Sequence, residues 1–372
     1  MIVRARTEIN EELIRDLLAG EKFDLQAPKS CFFFNSGSAA LRFFLQMNRH
    51  RNRVGVQVFT CSTVLDAIVA EGCIPVFLDI NKEYYTSTLD FIKGKIKEMD
   101  ILLLTHLFGI PNPDYLEIKQ LCEENDVVLI DDLCQTYHAK IGENYLEDIS
   151  DNYIYSFFYD KPISTLAGGM LKVSSQYSEA ESIYYKFPIV SEKKGKQNLK
   201  VLLLMHGLLS PDFYSKEFRI GELWKRVIAC WPNGCRLHTL NFLINSKMMR
   251  VLLRMWNLKS NNHIICRLSL IEQFYVCSMM RIYTNHNNII LDFCKRHQIE
   301  IPQYLNNQDI TCSIAKRAIL QSRFNVEGVQ ISLYNWPYLL CNKEEYHNYP
   351  GATFVLNSCI NIPSWTKDII RM

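Results

Sequence analysis

The chain has 372 residues, 48% hydrophobic and 22% charged, with a formal net charge of +2. That length buries a large core and suits one large unit plus a smaller one, and the near-neutral balance gives no general attraction to nucleic acid, which is not expected as a partner. The 13 cysteines are scattered without a CxxC pair, the usage of a reducing compartment with mostly buried thiols. Cys230 and Cys235 in "CWPNGC" come nearest to a metal pattern, but no second pair follows at zinc-finger spacing, so no metal site is expected.

The N-terminal stretch "MIVRARTEINEELIRDLLAGEKF" is charged and lacks the apolar segment of a secretory signal. The longest apolar run, "VLLLMHGLL", falls far short of the ~20 residues that span a bilayer. A cytoplasmic protein is expected. From residue 31 the pattern alternates. "CFFF" (31–34), "VGVQVF" (54–59), "IPVFLDI" (74–80), "DILLLTHLF" (100–108), "DVVLIDD" (126–132) and "NYIYSFF" (152–158) read as buried strands. Between them, 38–48, 62–72, 88–99 and 114–125 have helical spacing and polar ends. This alternation predicts an α/β architecture with a mainly parallel sheet, so functional residues should fall just beyond the carboxyl ends of strands.

Residues 176–262 are less regular, and 193–259 carries a net charge near +10 against near −8 for the remainder. A solvated basic helical surface accounts for such a segment. It could also attract a nucleotide diphosphate, or dock on an anionic membrane face through amphipathic pieces such as "SKMMRVLLRMW". From Arg267 a long helix is expected, followed by short strands and turns of a smaller domain. No internal repeat is present.

Three stretches could carry chemistry. In "FNSGSAAL" a strand ends, Ser36-Gly37-Ser38 turn, and a helix begins; its N–H groups and serine hydroxyls suit a phosphate, although a capped helix accounts for the same residues. In "VVLIDDLCQTYHA" Asp131 and Asp132 end a very apolar strand, with Gln135 three residues on. A carboxylate there needs a positive partner (a metal, an arginine or a protonated ring nitrogen) unless it caps the next helix. In "SFFYDKPISTLAGGM" Lys161 follows a strand ending near Ser156, and Gly168-Gly169 allow close backbone approach. A lysine held among apolar groups is available as a nucleophile. A phosphate cradle, a buried acid and a pocket lysine together match the needs of pyridoxal 5'-phosphate.

These motifs, with "AIVAEGCIPVFLDI" and "THLFGIPNPDYLEIKQLCEEN" in the same order, resemble the DegT/DnrJ/StrS-type sugar aminotransferases of the aspartate-aminotransferase fold. The resemblance resumes at Arg267–Gln273 and at "NIPSW". It implies a PLP-dependent transferase of fold type I: α/β, with a mainly parallel central sheet sandwiched by helices and a smaller C-terminal α+β domain. The implied division is 1–260 for the large cofactor-binding domain, with 176–260 a divergent basic helical segment, and 261–372 for the small domain.

Carried over by position, Lys161 resembles the lysine that links covalently to the cofactor, Asp132 the acid facing the pyridine nitrogen, and Gln135 the side chain beside the ring. Gly37, Ser38 and Ser156 match phosphate-binding positions. Cys61 stands where the family often stacks an aromatic residue on the ring, and His106 occupies a histidine position near the pocket. Ile265 and Trp365 depart from the asparagine and histidine common in relatives. The implied activity is amino transfer, from glutamate, to a nucleotide-linked keto-sugar for surface polysaccharide or glycoside synthesis, in a homodimer. The alternatives are another PLP-dependent sugar-modifying enzyme of this fold, against which the presence of Lys161 speaks, and a non-catalytic protein that kept the fold.

Overall fold

The apolar runs pair into a seven-stranded sheet in the computed structural model, which describes residues 9–21, 28–158, 161–208, 264–282, 295, 301, 303–312, 317–320 and 338–362. The first ten strands are β1 (Cys31–Phe34), β2 (Arg53–Gln57), β3 (Phe59–Thr60), β4 (Ile74–Leu78), β5 (Ile101–Thr105), β6 (Val128–Asp132), β7 (Lys140–Ile141), β8 (Asn144–Tyr145), β9 (Tyr153–Ser156) and β10 (Gly169–Lys172). The main sheet runs β1-β10-β9-β6-β5-β2-β4. Its pairings are parallel from β4 through β9; β10 alone runs against its neighbours β9 and β1.

Helices cover both faces, as a mainly parallel sheet requires. They are α1 (Glu11–Ala19), α2 (Gly37–Met47), α3 (Ser62–Ala70), α4 (Leu89–Lys93), α5 (Tyr115–Glu124), α6 (Leu146–Ile149), α7 (Ala180–Tyr184), α8 (Glu192–Leu208) and α9 (Leu270–Ile282). Side chains alternate between faces along each strand. Phe34, Val56, Leu103, Ile130, Ile154 and Leu171 pack beneath α2, α3 and α7, while Phe33, Leu102, Leu104, Tyr153, Tyr155 and Met170 meet α1, α5, α8 and α9. An ion pair, Arg42 Nε to Glu71 Oε1 at 2.6 Å, ties α2 to the end of α3.

The expected α/β layers are present, with local differences. The helix read over 88–99 stops at Lys93, and a short 3-10 turn follows over Ile96–Glu98; Gly94 between them is a poor helix former. "VGVQVF" divides, and β3 pairs with C-terminal residues instead of the main sheet. "DILLLTHLF" leaves the strand after Thr105, and Phe108 takes a left-handed φ of 57°. Strand β10 has little signal of its own in sequence, being short and opened by a glycine.

Gly169 is required by the packing. A Cβ there would lie 2.4 Å from Gly37 N and from Ser36 O. The backbone of β10 thus seats the start of α2 directly against the strand, opposite Ser156, its partner in register.

Helix α9, at the opening of the expected small domain, packs on α1 and α8, with Ile271, Tyr275 and Val276 in the same core as Leu199 and Leu202. Residues 264–267 also join the end of β1: Asn35 N–H donates to Cys266 O at 2.9 Å, and Leu268 N–H to Phe33 O at 3.0 Å. The rest of the long helix expected after Ile282, most of the basic segment, Cys230, Cys235 and Trp365 lie outside the described residues.

The C-terminal elements are α10 (Gln303–Asn306), β11 (Ile310–Thr311), β12 (Arg317–Leu320), β13 (Tyr338–Leu339), α11 (Pro350–Ser358) and β14 (Cys359–Ile362). β11 pairs with β7, β13 with β3, and β12 with β14. The buried Asp79, just past β4, accepts from Gly351 N–H at 2.9 Å and Ala352 N–H at 2.8 Å, satisfying donors at the start of α11. Tyr304, Ile310, Leu339 and Val355 close over Phe59, Leu107 and Phe108. Among the described residues no helix is long and apolar enough to cross a membrane.

Two substitutions test this packing. Glu272 on α9 is fully buried and accepts from Ser269 Oγ at 2.6 Å and Asn198 Nδ2 at 2.9 Å. Burial pushes its carboxyl from the ordinary 4.5 up to about 7; the Glu192 charge adds to this, while the two hydrogen bonds and Lys194 oppose it. The folded protein therefore keeps a proton that the unfolded chain releases between those values, and stability falls as pH rises through that window. The loss is on the order of 3 kcal/mol. Glu272→Gln, which can hold both partners, should flatten the fall in urea midpoint from pH 5 to pH 8. Gly169→Ala should lower the unfolding midpoint at every pH, by ~1–3 kcal/mol or more, because backbone must move to admit the methyl group.

Candidate active site

The alternation of β6 separates its two terminal carboxylates. Asp131 shares the face of Leu129 and Leu104; Asp132 shares that of Ile130, beneath α2 and α3. Asp132 is 6% exposed, and its Oδ1 accepts from Cys134 N–H at 3.0 Å. Parallel register sets Thr105 beside it on β5 and Ile154 on β9. Two residues beyond Ile154, on the same face, comes Ser156.

Ser156 meets the start of α2. A Cβ placed on Gly37 would stand 3.0 Å from Ser156 Cβ and 3.3 Å from Tyr155 O, so a side chain there would crowd β9 unless the helix shifted by a few tenths of an ångström. Ser36 is the cap: its Oγ accepts from Ala39 N–H at 3.0 Å, and its carbonyl from Ala40 N–H at 3.1 Å. No described residue accepts from the N–H groups of Gly37 or Ser38, or bonds to Ser156 Oγ. These donors stand together at the positive end of an 11-residue helix. Ser38 Oγ makes a long contact of 3.4 Å to Thr63 O, and Thr63 Oγ1 is 3.1 Å from Cys61 Sγ, so the start of α3 borders the same space.

Lys161 lies half-buried in the loop joining β9 to β10. Phe157 N–H donates to Gly168 O at 2.8 Å, Thr165 N–H to Phe157 O at 3.0 Å, and Lys161 N–H to Phe158 O at 3.0 Å. Cys134 reports what surrounds this loop. Burial pushes its thiol well up, the charges of Asp132 and Cys61 add to the rise, and the Lys161 ammonium opposes it. Asp132, Lys161, Cys61 and Cys134 thus share one electrostatic neighbourhood. Gln135 Oε1 accepts from Phe108 N–H at 3.0 Å.

The structure therefore brings Gly37, Ser38, Ser156, Asp132 and Cys61 to one face at the carboxyl edge of the sheet, with Lys161 on the loop leaving β9, within electrostatic reach of Cys134, and Gln135 on the loop after β6. His106 is placed differently. It is wholly buried, its Nε2 is 3.1 Å from Asp131 Oδ1, and its Nδ1 accepts from Asn112 N–H at 3.0 Å. Both ring nitrogens are engaged by interior groups on Asp131's side of the sheet. Ile265 is buried under α2 and α7.

Three further residues belong to this region. Ser36 is the true cap, Cys134 feels the charges of both the acid and the lysine, and Thr105 neighbours Asp132 with a buried Oγ1 that has no hydrogen-bond partner among the described residues. Thr105 was within reach of sequence reading, since the period of two along "ILLLT" sets it on the face of Leu103.

The model of the DegT/DnrJ/EryC1/StrS aminotransferase family matches residues 24–208. A GDP-perosamine synthase of Escherichia coli O157:H7 is 26% identical over 136 residues, covering 36% of this chain and 37% of that protein. A GDP-perosamine synthase of Vibrio cholerae is 28% identical over 125 residues, covering 33% and 34%. The matched stretch spans only about a third of the length of these curated relatives. Among solved structures, Spr1654 from Streptococcus pneumoniae in its PMP-form superposes with a TM-score of 0.63 over 100% of this chain and 96% of that one, at 15% identity. That likeness shows the fold, an α/β architecture with a mostly parallel sheet between helix layers. The family match, over residues 24–208, holds all of the site residues proposed from sequence.

Proposed function

We propose that the protein is a pyridoxal 5'-phosphate-dependent aminotransferase acting on a nucleotide-linked keto-sugar, with glutamate as amino donor. The observation that carries this reading is the convergence on one sheet face of the α2 N-terminus with Ser156, the Asp132 carboxylate and Lys161. The residues present fit the cofactor. Glycines at 37 and 169 let the start of α2 approach the ends of β9 and β10 closely, and the Asp132 carboxylate, held by Cys134 N–H, lies at the same sheet edge.

When bound, the cofactor supplies an aldehyde that captures amines and a pyridinium ring that accepts electrons. The N–H groups of Gly37 and Ser38 and the hydroxyls of Ser38 and Ser156 would hold its phosphate. Asp132 would keep the ring nitrogen protonated, and Gln135 and Cys61 would flank the ring. Lys161 Nζ would form the covalent link and, once displaced by the donor amine, take and return the proton moved during transfer.

The keto-sugar follows from the family and from the relatives named as GDP-perosamine synthases. A nucleotide diphosphate also suits the net charge near +10 over 193–259; an anionic membrane face is the competing partner for that segment, and flotation with anionic vesicles separates the two. The resemblance further supports a homodimer. A large domain over 1–260 and a small one over 261–372 remain our sequence-based division, with 264–282 docked on the large core.

Adding the cofactor to purified protein should produce absorbance in the near-ultraviolet to visible range, fixed by borohydride on the peptide carrying Lys161. Glutamate should bleach it. Lys161→Ala should lose the covalent adduct, whereas Asp132→Asn should keep it and slow transfer by roughly 100-fold or more. A wild-type protein that stays colourless overturns the proposal; a coloured one unchanged by glutamate overturns the donor.

A further inference from the structure

The resemblance sets His106 near the cofactor, yet its ring belongs to a buried network on the opposite side of the sheet. Asn112 N–H is a donor only, so Nδ1 must accept and Nε2 carries the hydrogen shared with Asp131. Asp131 also accepts from Tyr115 OH at 3.0 Å and from Ser150 Oγ. Asn112 is locked in turn: its Nδ2 donates to Ser87 O at 2.8 Å and to Thr86 Oγ1 at 3.2 Å. His106, Asn112, Asp131 and Thr86 are each at most 1% exposed.

The ring therefore fastens both ends of the loop from 106 to 112, one through Asp131 on the sheet and one through the Asn112 main chain. Phe108 lies inside that loop with φ 57°, a conformation that non-glycine residues rarely keep without constraint. Its N–H is the donor to Gln135 Oε1. A second tie runs from Thr136 Oγ1, next to Gln135, to His106 O.

We propose that His106 is a positioning residue: it holds the 106–112 loop so that Phe108 N–H fixes the amide of Gln135 beside the cofactor ring, without touching the cofactor itself. This role rests on the reading of the site as one for pyridoxal phosphate.

The test uses the full chain with His106→Asn, which can still accept from Asn112 N–H but is too short to reach Asp131, and with Thr136→Val, which cuts the second tie should the first variant fail to fold. In cofactor-free protein, amide exchange at Phe108 should quicken by about tenfold or more in either variant. Unchanged exchange overturns the tie, whatever the cofactor. With pyridoxal phosphate, each variant should raise the Kd for the cofactor by about tenfold, and by about twofold or less in a Gln135→Ala background. Equal losses in both backgrounds would assign His106 a merely structural role and overturn the proposal. If the wild-type protein takes up no cofactor while Phe108 exchange responds as expected, the cofactor reading has failed and the positioning role falls with it, but the loop tie stands.

Discussion

Two carboxylates adjacent at the end of a buried strand cannot share one environment, because the chain sends them to opposite faces. Everything distinctive about the site follows from how each is accommodated. Asp131 accepts from donors on three elements, His106, Tyr115 and Ser150, and these hydrogen bonds offset the cost of burying it. Asp132 is held by Cys134, through its main chain and its thiol, and has Lys161 in its neighbourhood. The first carboxylate is a structural anchor; the second is the one we propose for the cofactor ring.

The opposite charge arrives from the helix side. A side chain at 169 would collide with the main chain of Ser36 and Gly37 at the start of α2, and one at 37 would crowd Ser156 and Tyr155. The start of α2 and the acid then lie on the same face, because β6 and β9 are neighbours in parallel register and both end there. A lysine on the loop leaving β9 completes the set. The same carboxyl edge receives the C-terminal elements, through β3 with β13 and Asp79 with α11.

Most of this was legible from sequence because it rests on local pattern. Apolar runs separated by amphipathic stretches specify an α/β layer fold, and Ser36–Ser38, Asp132, Ser156 and Lys161 each stand directly after such a run. What was not legible depends on partners distant in the chain. Strand β10 exists because "GMLK" fits between β1 and β9, and the backbone that its glycine admits is identified only when Ser36 is set against it. The burial of His106 depends on Asn112 and Asp131 arriving from different elements, so its position in a familiar motif was a poor guide to the direction of its ring. Helix α9 reads as the opening of a new domain by composition; its packing on α8 is settled by Glu272, Asn198 and Ser269, which only the folded chain brings together.

The hairpin that carries Lys161 has a length the fold cannot adjust freely. Its two arms are held in antiparallel register, with Ser156 opposite Gly169 and Tyr155 opposite Met170. Adding or removing one residue inside either arm would bring a side chain where only a hydrogen fits, and would turn Ser156 or Leu171 to the wrong layer. Length variation is thus confined to the tip, between the closing bonds at Phe157 and Gly168. Homologous chains, or engineered ones, can therefore exchange the sequence around the lysine and vary its reach into the site, while the hairpin beneath it keeps a fixed count.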